Sequence, residues 1–97
     1  MFAWVNKVRV KRNNVDVSVK LYRDSVIPAA KSHKGFRGAY LLTNRKTGKG
    51  IFMTLWDSEE DAVSNEQSGY YKEPLSKFKE YFTTPPVCEG YEVTVQA

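Results

Sequence analysis

One cysteine, Cys88, stands in the whole chain. It can form no internal disulfide and belongs to no cysteine-rich metal site, so a reducing, cytoplasmic setting is expected. One histidine, His33, is likewise too few for an imidazole cluster, and no metal centre is expected. No stretch approaches the roughly 20 consecutive apolar residues of a membrane-spanning helix. The residues from Met1 to Val8 lack a basic region leading into an apolar one, so no secretory leader is expected. No Gly-x-Gly-x-x-Gly fingerprint calls for a nicotinamide or flavin, and no repeat or low-complexity tract appears. Acids are scarce in one half: residues 1–50 hold twelve Lys/Arg against two Asp/Glu, while residues 51–97 hold three against nine. The basic residues are scattered singly and accompany no nucleic-acid-binding motif. The split therefore implies pairing of opposite charges within the fold or across a dimer, and no nucleic-acid partner. Residues 1–97 are short enough for one domain with a modest core.

The strongest local signal runs from Gly35 to Asp57. Two runs rich in aromatic and branched residues, Phe36 to Thr43 and Ile51 to Trp56, flank Asn44-Arg45-Lys46-Thr47-Gly48-Lys49-Gly50. Such side chains suit a pleated surface, and the glycines permit a reversal, so the stretch predicts an antiparallel hairpin. Alternation puts Phe36, Gly38, Tyr40 and Leu42 on one face, and Arg37, Ala39, Leu41 and Thr43 on the other. Ile51, Met53 and Leu55 oppose Phe52, Thr54 and Trp56. Neither face is cleanly polar, as one face of a free antiparallel sheet should be. Helices are expected on one side and a second copy of the chain on the other.

Taken in order, Phe2 to Lys11 reads as a strand, with Phe2, Trp4, Asn6, Val8 and Val10 on one face. Asn6 interrupts that apolar face; a buried amide must find partners or face a polar cavity. Val15 to Lys31 is long for a strand and carries a helical stripe, Val15, Val19, Tyr22, Val26 and Ala29, with Asn14 as a candidate cap. Pro28 should kink that helix or restart it, and Gly35 should end the segment. His33 is expected in a solvated loop. Asp57 or Ser58 should cap a polar helix running to Gln67, with Asp61 completing a near capping box. Pro74 should open a last helical stripe of Leu75, Phe78, Tyr81 and Phe82, and Gly90 to Gln96 should form the final strand. This order is that of a ferredoxin-like βαββαβ domain, α+β with an antiparallel four-stranded sheet.

With Met1 to Val10 including Asn6, Gly35-Phe36-Arg37-Gly38-Ala39-Tyr40, and Thr54-Leu55-Trp56-Asp57-Ser58, the chain resembles the antibiotic biosynthesis monooxygenase superfamily. The resemblance implies a homodimer that joins two such sheets face to face as a dimeric α+β barrel. It also implies a cavity between each sheet and its own helices. Some members oxidise aromatic substrates with dioxygen and neither metal nor flavin, others degrade haem, and others have no assigned substrate. Asn6 matches a pocket asparagine of the family and is the expected catalytic residue, polarising a substrate oxygen. Trp4, on the same strand face, and Tyr22, Phe36, Tyr70 and Tyr71 are expected to bind the substrate. The haem-degrading branch uses a histidine after the hairpin that this chain lacks, so no cofactor is expected. The function so implied is oxygenation of a small aromatic or quinol-like molecule. The alternative is a non-catalytic small-molecule-binding or stress-associated protein of the same fold.

Overall fold

The computed structural model describes residues 1–68, 76 and 78–97. Its elements are β1 (Phe2–Arg9), α1 (Val15–Leu21), a π-helical segment (Tyr22–Val26), α2 (Ile27–Lys31), β2 (Phe36–Asn44), β3 (Lys49–Trp56), α3 (Glu59–Gln67) and β4 (Val87–Glu92). The four strands form one antiparallel sheet in the order β2-β3-β1-β4, the ferredoxin-like arrangement. No helix among the described residues is long and apolar enough to cross a membrane.

The hairpin forms where the sequence predicts it, and Gly48 explains its turn. Gly48 has φ +80°, its amide donates to the Asn44 carbonyl at 2.8 Å, and its own carbonyl accepts the Val10 amide at 2.9 Å. A Cβ there would come within 1.9 Å of the Val10 carbonyl oxygen. Glycine is therefore required twice, for the backbone angle and for the approach of β1.

The hairpin's faces differ from simple alternation. A bulge between Phe36 and Gly38 shifts the register, so that Phe36 pairs with Trp56 but Gly38 with Leu55. One extra residue turns every later side chain over. Phe36 therefore points to the helices, with its ring 5.7 Å from that of Trp56. Tyr40 and Leu42 point to the opposite face with their partners Met53 and Ile51.

The long helical segment also departs from a regular stripe. Its buried positions are Val15, Ser18, Tyr22, Val26 and Ala30, so the last falls on Ala30 and not on Ala29. The π-helical turn supplies the reason: the Ile27 amide donates to the Tyr22 carbonyl, five residues back, which inserts one residue into the helical face. Pro28 then falls in the first turn of α2, where its missing donor costs little. Asn14 precedes α1 but caps nothing with its side chain; its carbonyl accepts the Ser18 hydroxyl at 2.9 Å. Ser58 caps α3 as expected, its hydroxyl accepting the Asp61 amide at 3.2 Å.

The final strand begins and ends earlier than its alternation suggests. It runs Val87–Glu92 because it pairs with β1 from Lys7 back to Phe2, and β1 offers no partner beyond that point except Met1. The helical stripe expected after Pro74 begins outside the described residues, and at its described positions it is not helical: Phe78 and Tyr81 lie in a turn and Phe82 bridges Val10. Phe78 is fully buried against Phe52 and Phe82, at ring distances of 5.1 and 5.9 Å.

The helices leave the other sheet face open. There Tyr40 is 58% and Leu42 49% exposed, with Ile51, Met53 and Leu55 half-buried and Tyr91 exposed. Lys7 and Glu89 meet at 3.5 Å on the same face. The two halves of the charge distribution also meet at Arg37 and Asp57. Opposite charges thus do pair within the fold.

Candidate functional site

The helix-side face of the sheet carries two hydrophobic clusters with a polar seam between them. Val8, Tyr22, Val26, Phe52 and Phe78 form one cluster. Ala30, Trp56 and Ala62 form the other, with Phe2, Trp4 and Phe36 packed against it. On β1, Asn6 separates Val8 of the first cluster from Trp4 of the second. On β3, Thr54 separates Phe52 from Trp56 in the same way. In the register Asn6 lies opposite Phe52 and Trp4 opposite Thr54, so the two polar residues are diagonal neighbours at the centre of the sheet.

Both are buried, Asn6 at 8% exposure. Thr54 is committed, its hydroxyl accepting the Trp56 indole N–H at 2.9 Å. Asn6 makes no side-chain hydrogen bond among the described residues. Its amide carries two donors and an acceptor that no described group of the chain meets.

The seam continues on to the edge strand. Cys88 stands opposite Asn6, with its sulfur 3.7 Å from Glu66 of α3. The ring of Trp4 lies over Gly90, where a Cβ would sit 3.1 Å from its Cζ3. A Cβ at Gly90 would also crowd the tip of the Phe2 ring, at 2.6 Å. Burial, then the charge and hydrogen bond of Glu66, push the Cys88 thiol up to about 11, with a smaller opposite pull from Trp4. The thiol is held protonated and is no nucleophile at neutral pH. The buried Asn65 Oδ1 has no hydrogen-bond partner among the described residues, and the Trp4 indole N–H points to the Cys88 sulfur.

The expected site residues divide between these features. Trp4 and Asn6 adjoin the seam together. Phe36 packs on Trp56 at the far side of the second cluster. Tyr22 lies in the first cluster, its ring 4.8 Å from that of Phe52 and its hydroxyl 3.4 Å from the carbonyls of Tyr40 and Met53. Its burial raises its pKa well above the usual phenol range. Tyr70 and Tyr71 lie outside the described residues. His33 is half-buried instead of solvated, because Nε2 reaches the Ser64 hydroxyl at 3.3 Å and its ring meets Trp56 edge-on. Sequence reasoning did not single out Thr54, Asn65 or Glu66, and gave Cys88 no part in a site. Thr54 was visible as the one polar residue alternating with Phe52 and Trp56, and Asn65 as a residue three beyond Ala62 on one helix face.

No family's sequence profile and no curated protein matches the chain. Solved structures do match it closely in shape. A proposed antibiotic biosynthesis monooxygenase from Nitrosomonas europaea superposes with TM-score 0.81 at 11% identity, covering 96% of this chain and 89% of the other. One from Caulobacter crescentus gives TM-score 0.81 at 15% identity, over 97% of this chain and 90% of the other. A conserved protein from Methanosarcina mazei gives 0.79 at 18% identity, over 93% and 89%. At such identities the likeness is one of fold, and from end to end this chain has the ferredoxin-like α+β fold of structures named as antibiotic biosynthesis monooxygenases.

Proposed function

We propose that the protein is a cofactor-independent monooxygenase of small aromatic or quinol-like molecules, acting as a homodimer joined through its open sheet faces. The observation that carries this reading is Asn6, a buried amide on a central strand, beside Trp4, with no partner among the described residues. Such a group is set to bind an oxygen atom that the chain itself does not supply. The shared fold gives the reading its chemical class.

The reaction balances without an external reductant when the substrate is electron-rich. A hydroquinone and dioxygen give a hydroxyquinone and water; the substrate supplies all four electrons, one oxygen atom enters the ring and the other leaves as water. The demand on the protein is to hold the ring dry while negative charge develops on its oxygen and on the adding dioxygen. The Asn6 amide donates a hydrogen bond to that developing charge, and Trp4 packs against the ring. The apolar clusters on either side exclude water, which strengthens that hydrogen bond.

Oxygen uptake with a panel of hydroquinones and anthrones tests the proposal. Turnover by the native chain, with roughly a hundredfold or greater loss in Asn6→Ala, is the expected result. Full turnover in that variant would remove the mechanism. A second reading rests on the same amide of Asn6: a protein that binds the same ligands without oxidising them. It predicts saturable binding with no oxygen consumed.

A further inference from the structure

Arg9 and Lys49 stand directly opposite each other where β1 ends and β3 begins, so their side chains share the open face of the sheet. Like charges placed this way oppose the pairing of the two strands. Neither makes an ion pair among the described residues. Glu89, on the same face, is engaged by Lys7 at 3.5 Å and by the Tyr91 hydroxyl, and Asp16 holds Arg45 of the hairpin turn at 2.6 Å. The two cations border a cleft of about 400 Å³ that Ile51, Thr84, Pro85 and Val87 also line. Ile51 and Val87 both stand opposite Lys7, one row nearer the centre of the sheet, and give the cleft an apolar floor. Thr83 fixes its loop side, with amide and hydroxyl donating to the Arg9 carbonyl at 2.8 and 3.3 Å.

We propose that this cleft binds a small organic carboxylate with an apolar body, its charge between Arg9 and Lys49 and its body on Ile51, Pro85 and Val87. The guanidinium fork matches the two oxygens of a carboxylate, and the ammonium adds a second charge. A carboxylate between the cations also removes the repulsion that the free chain carries. Inorganic phosphate would meet the cations and leave the apolar floor uncovered. A neutral ring would do the reverse. Both halves of the site are needed to select an anion with an apolar body. The cleft lies on the opposite sheet face from Asn6, is built by one chain, and does not rest on the oxygenase reading.

Calorimetric titration of the intact chain with 2-naphthoate, 2-naphthamide and inorganic phosphate tests this. The expected result is that 2-naphthoate binds about tenfold or more tightly than either of the others. Arg9→Gln and Lys49→Gln should each weaken 2-naphthoate about fivefold or more and leave 2-naphthamide unchanged. Lys46→Gln, in the hairpin turn and outside the cleft, should alter neither. Without ligand, both cleft variants should keep or raise the urea midpoint, because each removes one of two facing like charges. A lower midpoint in both would give the cations a structural role and overturn the proposal. So would equal affinities for 2-naphthoate and either comparison ligand, or an equal loss in Lys46→Gln, which would report only the overall charge. No binding of 2-naphthoate at millimolar concentration, the result if a second copy closes the cleft, would overturn it as well. The native comparison needs no variant to fold. Oxygen uptake bears on none of these measurements, so this site and the oxygenase reading fail separately.

Discussion

The Cys88 sulfur lies 3.7 Å from the Glu66 carboxylate, linking the edge strand β4 to helix α3 beside Asn6. Burial first, and then this contact, set the chemistry of the chain's single cysteine. With the thiol pushed up from 9.0 to about 11, the reactive thiolate is suppressed about a hundredfold at pH 8. Iodoacetamide should therefore label the folded chain about a hundredfold more slowly than a cysteine peptide. The rate should climb about tenfold per pH unit until the pH approaches 11. Glu66→Gln removes the neighbouring charge, which lowers the pKa and should speed labelling at pH 8. Labelling at the peptide's rate would contradict the arrangement.

Gly48 is the second test. Its positive φ and the 1.9 Å approach of a Cβ to the Val10 carbonyl oppose any side chain. Gly48→Ala should destabilise the fold by at least about 2 kcal/mol, since strain and a broken contact between the hairpin and β1 act together. Urea denaturation should show a lower midpoint with an unchanged slope. Gly50, in a strand and without a positive φ, should tolerate alanine better.

What the sequence revealed was mostly local. The hairpin around Gly48, the Ser58 cap and the position of Asn6 among apolar neighbours each depend on residues close together in the chain. Features that depend on the whole fold were hidden. The bulge at Phe36–Gly38 leaves no compositional mark, yet it decides which face Phe36 and Tyr40 occupy. The π-helical turn moves burial from Ala29 to Ala30 without any residue that demands it. Asn65 sits in so polar a helix that nothing marks it as buried. His33 looked solvated because its partner, Ser64, lies on an element far along the chain.

The open sheet face gives a third prediction. Tyr40, Leu42 and Tyr91 are exposed there beside Met53 and Ile51, an apolar surface of the kind a stable dimer covers. Sedimentation equilibrium should find a dimer at micromolar concentration. Leu42→Glu combined with Tyr40→Lys, placed on neighbouring positions of that face, should yield monomers with native circular dichroism. A native chain that sediments as a monomer would sink the idea.

Asn6 gives the fourth, and it separates a catalytic amide from a structural one. Asn6 faces the helices, not the open sheet face, so neither Asn6→Ala nor Asn6→Leu should disturb the dimer. A structural amide would satisfy buried groups of the protein, and its loss would cost about 1–3 kcal/mol. Asn6 has no such partner among the described residues. Asn6→Leu, similar in size and free of polar atoms, should therefore keep or raise the denaturation midpoint. An anchor used mainly in the transition state behaves differently in kinetics: kcat and kcat/KM should fall together, by roughly a hundredfold, with KM little changed. Loss of stability with unchanged kcat would make Asn6 a structural residue. Retained stability with a rise in KM alone would make it a binding contact, and the chemistry would then have to be sought in another residue.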